Sequence, residues 1–185
     1  MMRERLKYDL KNKKVVRKSF LQNGQCSPCY SKQGNMCCKQ VKRTDTFSNR
    51  ITKRKFKILH HLNCKSMHVI YLLECTLCNN KPYVGKCETK GNQRINTHRT
   101  DSKRPNSIAV DKHFAQINHE FTRHARFTFI EQISKQDLPK FKMRNILLKR
   151  EDFWIIKLQS LNPNGFNDKL NFNYTNEQIN AIFKA

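Results

Sequence analysis

The sequence predicts an α/β fold with a small, largely antiparallel sheet of about three strands, flanked by helices. Two observations lead to this prediction. First, two apolar runs of strand length, "MHVIYLLE" and "KPYVGKC", lie close together, and the turn-like segment "CNNKP" leads into the second. This pattern predicts a β-hairpin. Second, the later run "ARFTFIEQIS" alternates Phe127 and Phe129 with polar residues, which predicts a third strand.

The flanking helices are predicted from spacing and from end signals. In "NQRINTHRTDS", Arg94 and His98 are four residues apart, so a helix would present both on one face. A second helix is predicted in "SIAVDKHFAQINHE". A long amphipathic helix is predicted in "LPKFKMRNILLKREDFWIIKLQSL", beginning near Pro139. The turn residues of "NPNGFN" then end it.

We divide the chain into three regions. Residues 1–25 are basic and polar, and are predicted to form an extended or loosely helical arm. Residues 26–64 hold five cysteines between polar spacers and are a candidate zinc-binding segment, with two short strands predicted in "KRTDTFSNRITKRKFKIL". Residues 65–185 are predicted to form the compact α/β domain.

The net charge is +23, because 37 lysines and arginines face 14 acidic residues. Such an excess opposes compaction through self-repulsion and favours a polyanionic partner, with nucleic acid first and an acidic membrane second. The basic residues are not confined to one amphipathic helix, which disfavours the membrane. The chain has no apolar run of about 18 residues, and its start has no secretory h-region. We therefore expect a protein that is neither membrane-spanning nor secreted.

The eight cysteines accompany seven histidines. Without a secretory signal, metal binding in a reducing compartment is favoured over a disulfide framework. The segment "CTLC" has the CxxC spacing of metal ligands, although free thiols in a hairpin are the simpler alternative. Cys87 is interpreted as a packed thiol.

Five side chains have a joint chemical logic although each alone could be ordinary: Tyr71, Tyr83, Arg94, His98 and Glu151. Phosphodiester hydrolysis needs an activated water, cations that hold charge on the phosphate, and usually a metal held by a carboxylate. Arginine grips phosphate oxygens in a fork. A single glutamate can anchor one magnesium ion that keeps most of its waters.

The chain resembles the GIY-YIG nucleases over residues 69–168. The motifs that carry the resemblance occur in the family's order: "VIY" (69–71), "YVG" (83–85), "RINTH" (94–98), "REDFWIIKL" (150–158) and "NGFN" (164–167). The tail of this region is similar to the nuclease domain of phage intron-homing endonucleases of the family. The first motif departs from the pattern, because Val69 replaces the name-giving glycine within a strand.

The resemblance implies roles for four residues of the first three motifs. Tyr71 and Tyr83 match the motif tyrosines, one of which helps to activate water. Arg94 matches the arginine that contacts the scissile phosphate. His98 matches the histidine that carries or orients a proton.

It also implies roles for residues of the later motifs and their neighbours. Glu151 matches the ligand of one catalytic Mg²⁺ or Mn²⁺ ion, and Asn167 matches an asparagine that supports the site. Gly85 matches the motif glycine, where a side chain would crowd the backbone. Lys86 and Arg99 are predicted to contact DNA.

Paired cysteines between the two tyrosines resemble the endonuclease domain of Penelope-like retroelements. In that group, two cysteines and two downstream histidines form a zinc-finger-like set, which here would be Cys75, Cys78, His113 and His119. A helix would have to end or bend between His113 and His119, which are six residues apart, and His124 competes for the second histidine. The upstream cysteines resemble the segment that precedes this domain. Cys29, Cys37, Cys38 and Cys64 are the preferred ligands of a second zinc, with Cys26 as a substitute.

The resemblance implies a DNA endonuclease that nicks target DNA and leaves a 3′-hydroxyl for target-primed reverse transcription. Its expected partners are DNA and the element's RNA and reverse transcriptase, and its expected location is nuclear, or cytoplasmic before import. Two alternatives stay open: a non-catalytic zinc-containing module that binds nucleic acid, and a stand-alone homing or repair nuclease of the same fold.

Overall fold

The structure is a computed structural model that describes residues 24–30, 37–104, 108–116, 118–134 and 138–184. The basic arm predicted over residues 1–25 therefore lies, apart from its last two residues, outside the described part of the chain.

The cysteine-rich segment folds into short elements: β1 (Gln25–Ser27), α1 (Cys37–Gln40), β2 (Thr46–Ser48), β3 (Lys55–Lys57) and β4 (His61–Asn63). β1 pairs with β4 in parallel, and β2 pairs with β3 as an antiparallel hairpin. The prediction of two short strands in this segment is confirmed. A bridge between Val41 and Phe127 joins the segment to the main sheet.

The main sheet has three antiparallel strands in the order β6–β5–β7. They span Val69–Cys75 (β5), Lys81–Cys87 (β6) and Ala125–Gln132 (β7). A single 3₁₀ turn, Thr76–Cys78, connects β5 to the turn before β6. The central strand is apolar almost throughout and nearly all of it is buried, because neighbours cover both of its edges and both of its faces. The predicted hairpin and third strand are confirmed.

Between β6 and β7, the described residues form the helices α2 (Gly91–Asp101), α3 (Ala109–Phe114) and α4 (Phe121–His124). The helix predicted in "SIAVDKHFAQINHE" is therefore short. It ends before Asn118, whose positive φ of 72° turns the chain. A tight turn of this kind brings His119 back towards α3, as the ligand prediction requires.

The long helix α5 (Lys140–Leu158) begins directly after Pro139, as predicted. It ends before "NPNGFN", since Gln159 adopts a left-handed conformation and caps it. Its buried face packs on β6 and β5. A final helix, α6 (Asn176–Lys184), packs against α5 and was not predicted. In the described part of the chain, no helix is both long and apolar enough to cross a membrane. The predicted α/β fold, with its N-terminal cysteine cluster, is confirmed.

Candidate active site

Tyr71, near the centre of β5, is fully buried, and its hydroxyl has a hydrogen-bond partner on each side. The Arg94 side chain donates from Nε to the Tyr71 hydroxyl oxygen at 2.9 Å. The hydroxyl also lies 2.7 Å from Nε2 of His98. Arg94 and His98 reach Tyr71 together because they are one turn apart on α2, as their spacing predicts.

His98 contacts a carboxylate that no sequence motif marks. Its Nδ1 lies 2.6 Å from Oδ1 of Asp111 on α3, and both side chains are buried. These two contacts place Nδ1 at a carboxylate and Nε2 at a hydroxyl, each within hydrogen-bond distance. Arg94, Tyr71, His98 and Asp111 thus form one continuous hydrogen-bonded chain, which we call the relay.

The second tyrosine lies beside the first across the hairpin. The β5–β6 register sets Tyr71 opposite Gly85 and Leu73 opposite Tyr83. The Tyr71 and Tyr83 rings are 6.4 Å apart between centroids, and the Tyr83 ring lies 5.9 Å from the His98 ring. Gly85 makes this arrangement possible, because a Cβ there would lie 2.4 Å from the Tyr71 hydroxyl oxygen.

Replacing Gly85 with alanine is expected to lower the free energy of unfolding by about 1–3 kcal/mol, because Tyr71 is packed on all sides and cannot retreat. Urea unfolding measures this change. An unfolding free energy equal to that of the wild type would show that Tyr71 moves freely, which contradicts its buried, doubly bonded position.

Burial keeps Tyr71, Tyr83 and His98 neutral at pH 7. It raises the pKa of Tyr71 well above its ordinary value, although Arg94 opposes the shift. It also raises the pKa of Tyr83 to about 12. Burial lowers the pKa of His98, with Asp111 opposing the change. Neutral His98 is therefore a ready proton acceptor for Tyr71.

Glu151 approaches the same region from α5. Its Oε1 accepts the backbone N–H of Lys86 at 3.0 Å, and its Oε2 accepts Nδ2 of Asn171 at 2.9 Å. Burial raises the pKa of this carboxyl, while the Asn171 hydrogen bond opposes the shift. Each oxygen keeps a further lone pair, so the oriented carboxylate can still bind a cation.

A cavity of about 320 Å³ brings Glu151 and Arg94 together. We call it the Glu151 cavity; it is lined by Lys86, Cys87, Glu88, Thr89, Arg94 and Glu151. Lys86 Nζ pairs with Glu88 at 2.7 Å, and this hydrogen bond lowers the pKa of Glu88. The cavity therefore offers two cations and two carboxylates around one open space.

Two other predicted residues lie away from this cavity. Asn167 binds the backbone of Val84 in β6 from both ends of its amide, at 2.8 and 2.9 Å, and accepts the Ser160 hydroxyl. It therefore supports the strand that carries Tyr83. Arg99 is half-buried on α2 and lines a different groove, beside Lys103.

The predicted zinc ligands between and after the tyrosines lie together. We call the group the hairpin cluster: Cys75, Cys78, His113 and His119, whose ligand atoms all lie within 4.8 Å of one another. Cys78 Sγ is 3.3 Å from Nε2 of His119 and 3.6 Å from Nε2 of His113. Tetrahedral zinc with ordinary bond lengths separates sulfur from nitrogen by about 3.5 Å. Burial, chiefly, lowers the pKa of His113 to about 4, so its imidazole is neutral, as a ligand must be.

A second group, the N-terminal cysteine cluster, joins α1 to the chain on either side: Cys29, Cys37, Cys38 and Cys64. Its ligand atoms also lie within 4.8 Å of one another, and the Cys29 and Cys38 sulfurs are 3.4 Å apart. Adjacent cysteines thus do contribute to one cluster here. Burial raises the pKa of Cys37 to about 11, so this thiol needs a bound cation to become a thiolate.

The alternative ligands belong to neither cluster. Cys26 is buried, and its sulfur accepts the backbone N–H of Phe129 at 3.3 Å. His124 accepts the backbone N–H of Glu120 through Nδ1 at 2.9 Å, at the start of α4. Cys87 packs as predicted and donates its S–H to the carbonyl of Thr89.

Sequence reasoning missed two residues of the site. Asp111 stands between Val110 and Lys112 in a short helical segment, where a solvent-facing acid is the ordinary expectation. Its position two residues before His113 was the available signal. Asn171 follows the last motif in a segment without periodicity, and no pattern marks it.

No protein-family profile matches the chain, and no curated protein matches it. Two solved structures are similar. One is a mutant of the catalytic domain of intron endonuclease I-TevI, with a TM-score of 0.44, 23% identity, and coverage of 58% of this chain and 98% of that one. The other is the catalytic domain of homing endonuclease I-TevI, with a TM-score of 0.42, 22% identity, and coverage of 55% of this chain and 98% of that one.

Proposed function

We propose that the chain is a metal-dependent DNA endonuclease of the GIY-YIG type. The observation that carries the proposal is that Arg94 connects a buried relay to a cavity that an oriented carboxylate also lines. Arg94 belongs to both, since it donates to Tyr71 and lines the Glu151 cavity. The order of the sequence motifs agrees with this proposal, and the geometry of these side chains supports the chemistry.

The relay can move a proton away from an attacking water. Tyr71 passes its proton to neutral His98 as its oxygen takes up the proton of the water, so the phenol never needs to be free as an anion. Because Tyr71 is fully buried, this step requires the water to reach its hydroxyl beside Arg94, the member of the relay that lines the Glu151 cavity. The pKa of Arg94 is raised, first of all by its interaction with Tyr71, so the guanidinium stays charged throughout. It can therefore hold negative charge that develops on the phosphate.

The carboxylate of Glu151 fits a single divalent ion. Each of its oxygens accepts one hydrogen bond that orients the carboxylate, and the open cavity leaves space for the waters that Mg²⁺ keeps. A bound Mg²⁺ or Mn²⁺ would act as a Lewis acid on the phosphate oxygens. Glu88 belongs to the same cavity but is already paired with Lys86, so we assign one ion to Glu151 alone.

We propose that the hairpin cluster and the N-terminal cysteine cluster each hold a structural Zn²⁺ ion. Four soft or borderline donors within 4.8 Å are the arrangement that closed tetrahedral zinc sites use. Zinc would join distant parts of the chain at each cluster, for example β5 to α3. Catalysis would stay with the separate ion at Glu151.

We propose further that the chain serves a Penelope-like retroelement, where a nick with a 3′-hydroxyl primes reverse transcription in the nucleus. The cysteine pair between the two motif tyrosines supports this, together with the N-terminal cysteine cluster. DNA, and the element's RNA and reverse transcriptase, would be its partners. In this proposal the domain boundaries are 1–25, 26–64 and 65–185.

Incubation of the zinc-loaded chain with supercoiled plasmid and Mg²⁺ tests the nuclease proposal. We expect relaxed circles, and we expect a DNA polymerase to extend the nicks without prior end treatment. Plasmid that stays supercoiled over a range of ions and salt concentrations would contradict nuclease activity and leave the non-catalytic binding module. Nicks that a polymerase cannot extend would contradict the priming role alone.

We assign DNA phosphate contacts to the cationic surface of the β2–β3 hairpin. Lys55 and Lys57 alternate outwards on β3, while Phe56 packs inwards on Phe47 and Trp154. Asn49, directly after β2, fixes the hairpin to α5, because its side chain donates to the carbonyl of Lys157 at 2.8 Å. Its lysines are thus presented on a rigid base, which reduces the ordering cost of binding phosphates.

Replacing Lys55 and Lys57 together with glutamine is expected to weaken DNA binding and to reduce the salt slope of log K by about 1.8, since each phosphate contact contributes about 0.9. Fluorescence anisotropy across a salt series measures both. The charge-matched control replaces Lys142 and Lys149, which are exposed on α5. Equal changes in both double variants would show that total charge, rather than the hairpin, sets the affinity.

A further inference from the structure

We propose that Asp111 is the positioning residue of the relay: it fixes His98 with the proton on Nδ1, so that Nε2 faces Tyr71 as a proton acceptor. The proposal rests on the proposed nuclease function for its catalytic consequence. The orientation of His98 itself can be tested without that function.

The contact between Asp111 and His98 is buried and comes from two different elements. Asp111 lies on α3 and His98 lies on α2, and Oδ1 to Nδ1 is 2.6 Å. The exposed fractions are 2% and 0%. An acid in such a place costs free energy unless it is bonded, which disfavours a mere surface role.

The other side chains that pack against His98 are aromatic. Tyr71, Tyr83, Phe121 and Phe127 surround the imidazole, with ring centroids between 5.7 and 6.5 Å from its own, and the two tyrosines meet it edge to face. These rings hold the imidazole in place but do not offer Nδ1 an acceptor. Asp111 is therefore the group that chooses the tautomer.

The tautomer decides what Tyr71 can do. With Nδ1 protonated, Nε2 has a lone pair and accepts the phenol proton at 2.7 Å. The other tautomer would point an N–H at Tyr71, and the phenol would then have no proton acceptor on this side. Arg94 on the other side of the hydroxyl is a donor only.

Two measurements on the zinc-loaded full chain test the proposal. In the first, ¹⁵N histidine NMR of the wild type should show a His98 with protonated Nδ1 and bare Nε2, assigned by comparison with His98→Gln. In the second, Asp111→Asn should lower the single-turnover cleavage rate at least about tenfold, as loss of an orienting partner does. Its DNA affinity and zinc content should stay unchanged. The asparagine amide can donate to Nδ1, so the NMR signal should shift towards the Nε2–H form.

Asp101→Asn is the charge-matched control, because this acid pairs with Arg104 at the end of α2 and does not touch His98. It should cleave at the wild-type rate. A folded Asp111→Asn that also does so would overturn the proposal, as would a wild-type His98 protonated on Nε2. If Asp111→Asn loses zinc or unfolds, the NMR measurement of the His98 tautomer in the wild type alone tests whether Asp111 orients His98. Failure of the wild type to cleave overturns the nuclease function instead, and the tautomer still decides whether Asp111 orients His98.

Discussion

Glu151→Ala is expected to abolish plasmid nicking, with a fall in rate of about 10³ or more, because the proposed metal ligand and the charge stabilisation by its ion would be lost together. DNA affinity should stay nearly intact. Glu151 is an acid beside Arg94 and Lys86, so its removal takes no phosphate contact away. The measurement is single-turnover cleavage alongside fluorescence anisotropy in Ca²⁺ or without a divalent ion.

Glu151→Gln separates the charge from the packing. It keeps the size of the side chain, and its single amide oxygen can accept from Asn171 while its NH2 group then faces the Lys86 backbone N–H. An amide is also a weak ligand for Mg²⁺. It should therefore be nearly as inactive as the alanine variant. Glu177→Ala, on the exposed face of α6, is the control for loss of one acid. Cleavage by Glu151→Ala at the wild-type rate would show that the catalytic ion binds elsewhere.

Arg94→Ala should behave differently from the glutamate variants. Arg94 donates to Tyr71 and lines the Glu151 cavity, so its removal affects the relay and the phosphate together. We expect weaker DNA binding as well as a far larger loss of cleavage. This contrast distinguishes a group that touches the phosphate from a group that holds only the metal.

The main sheet and the long helix could be predicted because their sequences carry periodic patterns. β5 is a continuous apolar run, since both of its faces are covered, and α5 has apolar residues at helical spacing after Pro139. A spacing of four likewise predicted that Arg94 and His98 share one helix face, but the spacing alone does not show that this face meets Tyr71. Local pattern was sufficient wherever one element determined the contact.

Asp111 and Asn171 could not be predicted because their contacts join separate elements. Asp111 meets His98 across two helices, and Asn171 meets Glu151 across the end of α5. Neither contact leaves a periodic signal. The shortness of α3 was also hidden: the helix ends at Phe114, and the left-handed conformation that Asn118 adopts beyond it is not visible in a helical pattern.

His119→Gln is expected to remove one zinc ion per chain and to lower stability, because zinc bound to the hairpin cluster, as proposed, would contribute directly to the free energy of folding. A loss of about 3 kcal/mol would lower the melting temperature by roughly 6–12 °C. Zinc analysis and thermal unfolding measure these effects. His124→Gln is the matched control: it changes the competing histidine, whose Nδ1 instead accepts the Glu120 backbone N–H.

The same variant should also slow cleavage, although no ligand of the hairpin cluster belongs to the relay. The link is α3, a helix of only six residues that carries both Asp111 and His113. So short a helix has little stability of its own, so zinc at His113 would hold Asp111 in place against His98. The His98 tautomer should therefore become mixed in His119→Gln and stay uniform in His124→Gln.

An unchanged zinc content and melting temperature in His119→Gln, or equal losses in both variants, would contradict zinc binding by the hairpin cluster. Loss of zinc with full cleavage would instead show that the relay keeps its geometry without zinc.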